Sequence, residues 1–182
     1  MAVSDIIKQT FASGLIELVE IKSFDKLTIQ QICDHCGLGR QTFYNHFKDK
    51  YDLVQWIYNA KTQRLFLEYE CEKNWSATIR KIFYHNIEFE KYYFNISKSQ
   101  ARDILVNYWI EHTNDYYSKA IAYKNGAMNF DKQLLHSIQF NSYAAVNMSF
   151  KWMQNGMRET PENMAEIMIN NLPPILRDSI YK

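Results

Sequence analysis

Between Leu38 and Lys50 the chain reads LGRQTFYNHFKDK, which sets Arg40, Gln41, Asn45 and His46 around Phe43 and Phe47. Arg offers a planar fork of donors that matches guanine O6 and N7. Gln or Asn can bond adenine N6 and N7, each through two hydrogen bonds. Phe43 and Phe47 are four residues apart and share one helical face. A 3.6-residue period then turns Arg40, Gln41, Tyr44 and Asn45 away from that face. The Thr42 and Tyr44 hydroxyls can add phosphate or methyl contacts, and Lys48 extends the polar set. A helix from Arg40 to about Phe47 with these two faces fits a major groove. An ordinary amphipathic surface helix has the same pattern, and periodicity alone does not choose between them.

Lys50 supplies an independent clue. Asp49 is placed to cap the next helix, which puts Lys50 in its first turn, where a cation opposes the helix dipole at a cost of a few tenths of a kcal/mol. A phosphate there would reverse the sign, because the helix-start amides and the ammonium would converge on one anion. Thr28, opening the short helix before, offers a hydroxyl and amides in the same way.

These side chains need a scaffold. Five glycines and three prolines are few breakers for 182 residues, and no sustained alternation of period two occurs, so the chain reads as all-α. Ser4 to about Ile21 forms an amphipathic helix with Ile7, Phe11, Leu15, Leu18 and Val19 on one face. Thr28 and Gln31 have the form of a capping box, followed by a two-turn helix that buries Ile29, Ile32 and Cys33. Gly37 stops it, and Gly39 can cap the helix that starts at Arg40. Two short helices joined by a Gly-containing turn make a helix-turn-helix. A long helix follows from Lys50 to about Glu72, with Leu53, Trp56, Ile57, Ala60 and Leu67 on its stripe. Further helices are expected at 76–94, 98–122, 132–154 and 162–172. The division expected is a helix-turn-helix domain over residues 1–50 and a second helical domain over 51–182.

Composition excludes several classes. With 47% hydrophobic and 23% charged residues the chain is globular, and a net charge of +1 denies it a general affinity for nucleic acid. Any DNA contact is local: from Lys26 to Lys50, four basic residues face Asp34 and Asp49. Cys33, Cys36 and Cys71 are too few for a disulfide framework, and a reducing compartment is the natural setting. Cys33, His35 and Cys36 resemble metal ligands at first sight. Cys33 and Cys36 share a face with Ile29 and Ile32, however, and no four-ligand set is evident, so core packing is expected and no metal or cofactor is called for. No stretch approaches ~18 consecutive apolar residues, so no membrane partner and a cytoplasmic location are expected. No paired carboxylates, Gly-rich phosphate loop or nucleophile elbow points to an enzyme.

The run FDKLTIQQICDHCGLGRQTFYNHFKDKYDLVQWIY resembles the DNA-binding domain of the TetR family of bacterial transcriptional regulators. The shared features are Thr28, Gly37, Thr42-Phe43-Tyr44, His46-Phe47 and Lys50. Gly39 and Cys33 depart from the usual Ser or Thr and the usual small residue at their positions. The Arg-Gln-Thr-Phe-Tyr form, with KWMQNGMRETPENM near the C-terminus, is similar to a branch of the family common in Firmicutes. The resemblance implies DNA contacts from Thr28, Arg40, Gln41, Thr42, Tyr44, Asn45, His46, Lys48 and Lys50.

It also implies a ligand pocket among the aromatics between Trp75 and Tyr123, lined by residues such as His85, Asn86, Phe89, Tyr93, Tyr108, Trp109 and His112, although such a stripe equally describes plain core. A two-turn recognition helix buries too little surface to find a site alone, so a homodimer on a palindromic duplex is expected. The apolar stripes Leu134, Ile138, Val146, Phe150 and Met164, Ile167, Met168, Leu172 are its expected interface, unless they pack within one chain. The function implied is a ligand-responsive transcriptional regulator, with repression the common case. A regulator-like protein acting through protein contacts, without DNA readout, is the alternative.

Overall fold

The computed structural model describes residues 3–72, 74–125 and 130–181, without the side chains of 63–72 and 124–125. Every regular element among them is helical. They are α1 (Val3–Ile21), a 3-10 turn (Phe24–Lys26), α2 (Ile29–Cys36), α3 (Arg40–Tyr44), α4 (Lys50–Glu72), α5 (Trp75–Glu88), α6 (Glu90–Ser97), α7 (Ala101–Asn125), α8 (Lys132–Gln154), α9 (Pro161–Asn170) and α10 (Pro174–Tyr181).

The N-terminal helices form for the local reasons expected. Thr28 Oγ1 accepts from Gln31 N at 3.2 Å while Gln31 Oε1 accepts from Thr28 N at 3.2 Å, closing a capping box. Gly37 ends α2 in the left-handed conformation, φ 64°, and Leu38 N reaches back to Cys33 O at 3.0 Å. Asp49 Oδ1 accepts from Tyr51 N and Asp52 N, both at 2.9 Å, and caps α4.

Three boundaries differ from the sequence expectation. α3 ends at Tyr44, yet Phe47 N still bonds Phe43 O at 2.9 Å, so the Phe47 ring keeps the same face. The single helix expected over 76–94 is broken at Phe89, which leaves helical geometry with φ −116° and ψ 36°. No Gly or Pro marks this break. The bend turns both Phe83 and the Tyr92, Tyr93 and Ile96 set inward. Finally, α10 was not foreseen, because Pro173-Pro174 reads as punctuation; Pro174 opens a helix, a position where its missing N–H costs nothing.

One apolar core runs from Phe11, Leu15 and Phe43 through Leu53 and Ile57 to Trp109, Phe150, Met153 and Ala165. A second cluster joins Trp75, Tyr117, Ile121, Ile138, Leu172, Leu176 and Ile180. These cores take up the residues of the expected dimer interface. Ile138, Val146, Phe150, Met164 and Leu172 are buried within one chain, and Leu134, Ile167 and Met168 are half-buried against the same clusters. A helical stripe goes to whichever neighbour covers it, and here the chain itself covers this one. The exposed apolar side chains of α8 are Leu135, Phe140, Tyr143 and Met148.

α1 and α2 approach closely at Gly14, where an added Cβ would overlap Cys36 Sγ and stand 3.3 Å from His35 Cδ2. The Cys36 thiol is directed at Thr10 O, 3.5 Å away. Alanine in a helix gains about 1 kcal/mol over glycine, whereas forced overpacking costs about 1–3 kcal/mol. Gly14→Ala is therefore expected to destabilise the wild-type chain but to stabilise the Cys36→Ala variant, as urea unfolding of the four-member cycle will show. The same sign in both backgrounds would mean that Cys36 does not set the helix spacing.

Candidate nucleic-acid interface

Phe43 holds the site in place. Its ring is fully buried, edge-on to Phe11 with centroids 5.2 Å apart, and 5.6 Å from Phe47. The opposite face of α3 is open. There Arg40 Nη2 donates to Tyr44 Oη at 3.4 Å and Gln41 Nε2 donates to Asn45 Oδ1 at 3.2 Å. Each pair is one helical turn apart, which brings the four polar groups together on the exposed surface of a single short helix. Tyr44 is 47% exposed, so its ring belongs to this surface and not to the core. Thr42 is half-buried. His46, also half-buried, lies with Nδ1 3.5 Å from Ser4 Oγ and so touches the start of α1.

The flanks are built more tightly than the sequence indicated. The Thr28 hydroxyl accepts within its capping box and keeps its proton for an external acceptor. The Lys48 side chain is exposed, while its backbone N–H donates to Asp52 Oδ2 at 2.9 Å. Lys50 takes a role the sequence did not show. Its ammonium donates to Phe24 O and Leu27 O, each at 2.9 Å, and to Asp25 O at 3.3 Å, and lies 4.5 Å from the Phe24 ring centroid. The compensation that a cation at a helix start requires thus comes from carbonyl oxygens of the chain. Burial lowers the Lys50 pKa, and Asp25 opposes that shift. No sequence signal marks this contact, because it joins residues more than twenty apart.

Cys33 and Cys36 behave as core thiols. Burial raises the pKa of both, that of Cys36 to about 11 with Cys33 and Glu17 adding to the effect. His35 Nε2 is 2.7 Å from Glu17 Oε2, a partner on α1. Among the described residues no three His, Cys, Asp or Glu side chains converge as metal ligands would.

Beyond the helix-turn-helix, α4, α5, α7, α8 and α9 enclose a cavity of about 90 Å³. Of the expected pocket residues, His85, Asn86 and Trp109 line it. Phe89 and Tyr93 pack behind His85, with ring centroids 5.0 and 6.4 Å away. Tyr108 and His112 pack edge-on against Tyr58. Trp75 and Tyr117, within the aromatic region expected to hold the pocket, also line the cavity, as do Tyr58 and Thr62 of α4, Thr78 and Thr113, which sequence reasoning missed. Tyr58 stacks on Trp109 at 4.3 Å. Burial lowers the His85 pKa, with the Lys61 ammonium as the second cause, and burial likewise lowers that of His112.

An exposed polar face on the second helix of a helix-turn-helix, followed by a helical domain with a pocket, is an arrangement compatible with a DNA-binding regulator. The family profile described as "Bacterial regulatory proteins, tetR family" matches residues 14–57, and that described as "Transcriptional regulator C-terminal region" matches residues 73–173. The chain belongs to the TetR family of transcriptional regulators. Its fold is similar to that of the dihydroxyacetone kinase operon activator DhaS, with a TM-score of 0.71 and 16% identity over 92% of this chain and 94% of that one. It is also similar to a TetR-family regulator from Syntrophomonas wolfei str. Goettingen, with a TM-score of 0.63 and 22% identity over 90% and 91% of the two chains. No curated protein matches the sequence significantly. No helix among the described residues is long and apolar enough to cross a membrane.

Charge-assisted hydrogen bonds each contribute about 1.5–3 kcal/mol. Lys50→Met, which keeps the apolar stem, is expected to lower the stability of the whole chain by about that amount, seen as a lower urea midpoint at unchanged slope. An unshifted midpoint would show that the three carbonyl contacts contribute nothing net.

Proposed function

We propose that this protein is a homodimeric, sequence-specific regulator of transcription that binds a palindromic operator and is controlled by a small molecule in its helical domain. Residues 1–50 read DNA and residues 51–182 hold the effector and the second subunit. The observation that carries the reading is the exposed face of α3, where Arg40, Gln41, Tyr44 and Asn45 stand opposite the buried Phe43. Arg40 and Gln41 reach base edges in the major groove, and Thr28, Thr42, His46 and Lys48 contact the backbone around them. Lys50 orders the turn that carries Asp25 and adds its charge to the phosphate side of the site.

α4 supports the proposed link between ligand and DNA. Leu53, Val54 and Ile57 pack into the core that contains Phe43, while Tyr58 and Thr62, one turn further on, line the cavity. A ligand that favours one position of α4 shifts operator affinity in proportion to its preference for that state. Repression needs only occlusion of a promoter by the DNA contacts described. Activation needs further contacts with polymerase; one structural relative is named an operon activator, which supports keeping that outcome beside repression.

The test is selection of bound sequences from a random duplex pool at near-physiological salt, with recovery of a palindrome expected. Absence of enrichment, with and without cell extract as a source of effector, would favour action through protein contacts. On the recovered site Arg40→Ala should cost about 1–3 kcal/mol and relax base choice at its contact. Unchanged affinity and selectivity would remove Arg40 from the readout. For the dimer, the exposed apolar face of α8 supports contact through Phe140, 76% exposed, with Tyr143 and Met148 beside it. Phe140→Glu is expected to give a monomer in sedimentation velocity and to abolish operator binding; an intact dimer would place the interface elsewhere.

A further inference from the structure

The 3-10 turn Phe24–Lys26 carries Asp25 to the junction between the helix-turn-helix and the helical domain. Phe24 is buried, and Lys50 Nζ donates to the carbonyls of Phe24, Asp25 and Leu27, so the backbone that presents Asp25 is fixed. Its carboxylate crosses the junction: Oδ1 accepts from Gln100 N at 2.9 Å, between residues 75 apart in sequence. Gln100 immediately precedes α7, where Ser99 Oγ accepts from Ala101 N at 3.1 Å. The amides that open α7 are thus shared between a local acceptor and one supplied by the other domain. The acidic group also meets the positive end of the helix dipole.

The other joins constrain orientation less. α4 is one continuous helix, and α1 packs on α6 with the exposed Lys91–Glu20 pair, 3.5 Å apart, between them. Long helices bend gently, apolar contact is non-directional and an exposed ion pair contributes little. A hydrogen bond, by contrast, weakens steeply as its angle departs from linear. From Gln100 the constraint passes along α7, which packs on α8, the helix whose exposed Phe140, Tyr143 and Met148 form the proposed subunit contact.

We propose that Asp25 is a specificity-determining residue for operator spacing: its bond to Gln100 N sets the angle at which each recognition helix is held against the dimer, and so which separation of half-sites is accepted. This rests on the reading of the protein as a dimer on a palindromic duplex and deepens it by naming a residue that fixes the geometry. One helical turn of DNA is about 10–10.5 bp and 34–36 Å, so one inserted base pair moves the second half-site by about 3.4 Å and turns it by about 34°, or about 17° for each subunit. Over a lever arm of about 8–10 Å, the spacing of packed helices, about 17° displaces the carboxylate by about 2.5–3 Å, enough to break a bond of 2.9 Å.

The test uses the full chain and the palindrome recovered by selection, with versions that carry one base pair more or fewer at the centre, read as Kd by fluorescence anisotropy at one salt concentration. Asp25→Ala is expected to shrink the wild-type penalty for wrong spacing about tenfold, because a typical hydrogen bond contributes about two- to tenfold to an equilibrium constant and a dimer has two. Gln100→Pro deletes the donating N–H at a helix start, where proline is tolerated, and should shrink the penalty likewise. Asp25→Asn keeps an acceptor oxygen and should retain most of it. Each penalty is a ratio measured on one protein, so a general loss of stability cancels from it. In the free protein, NMR should find the Gln100 amide exchanging faster in Asp25→Ala than in the wild type. A spacing penalty unchanged in both Asp25→Ala and Gln100→Pro, or an unchanged Gln100 exchange rate, would overturn the proposal and leave operator recognition standing. No binding of the wild type at any spacing would instead overturn the dimeric-operator reading, and this inference with it.

Discussion

The exposed polar face of α3 depends on a buried contact between phenylalanine rings. α3 has five residues, far too few to hold a helix in water by itself, so its shape and direction come from what Phe43 packs against. Burying that ring contributes about 1.5–3 kcal/mol, and its edge-on contact with Phe11 adds about 0.5–1.5 kcal/mol. Phe11 belongs to α1 and Phe47 to the turn before α4, so one side chain ties three elements together. Once that ring is fixed, helical geometry leaves Arg40, Gln41, Tyr44 and Asn45 no direction except outward.

The Lys50 ammonium is the polar counterpart of that contact. It gathers the carbonyls of Phe24, Asp25 and Leu27 around the 3-10 turn, of which Phe24 O also accepts from Leu27 N at 3.1 Å. The same turn reaches the helical domain, because Asp25 Oδ1 accepts from Gln100 N, just before α7, at 2.9 Å. This bond is charge-assisted and so stronger than the exposed pair Lys91–Glu20, 3.5 Å apart, that joins α6 to α1. The N-terminal helices are thus held to the helical domain through α4, at the Asp25 turn and where α6 meets α1.

The helical domain sets a group of packed aromatic rings among aliphatic side chains such as Ile96, Leu105, Val106 and Val146. Tyr58, Tyr93, Trp109 and Phe150 stack or meet edge-on in one continuous group. Large flat rings fill space well in fixed orientations but leave gaps where they diverge, and the polar edges of Tyr and Trp then face one another without enough partners. Burial pushes the Tyr58 and Tyr93 hydroxyls well above their usual pKa, so they stay neutral across the physiological range.

Features set by neighbours in sequence could be read from the sequence. The all-α class, the capping box at Thr28, the left-handed stop at Gly37, the Asp49 cap and the two faces of α3 all follow from side chains within four residues of one another, where backbone geometry decides who meets whom. Tertiary structure decided what periodicity leaves open, namely which surface covers an apolar stripe and which partner takes a long polar side chain. The stripe through Ile138, Val146 and Phe150 turned inward because α6, α7 and α10 lie against it, which left Phe140, Tyr143 and Met148 outside. The break at Phe89 carries no local signal, since packing on both sides of it, and not backbone propensity, makes the bend favourable. Lys50 found three carbonyls some twenty-five residues away, and Tyr58 met Trp109 across the bundle. Sequence distance says nothing about such contacts; they exist only once the helices have docked.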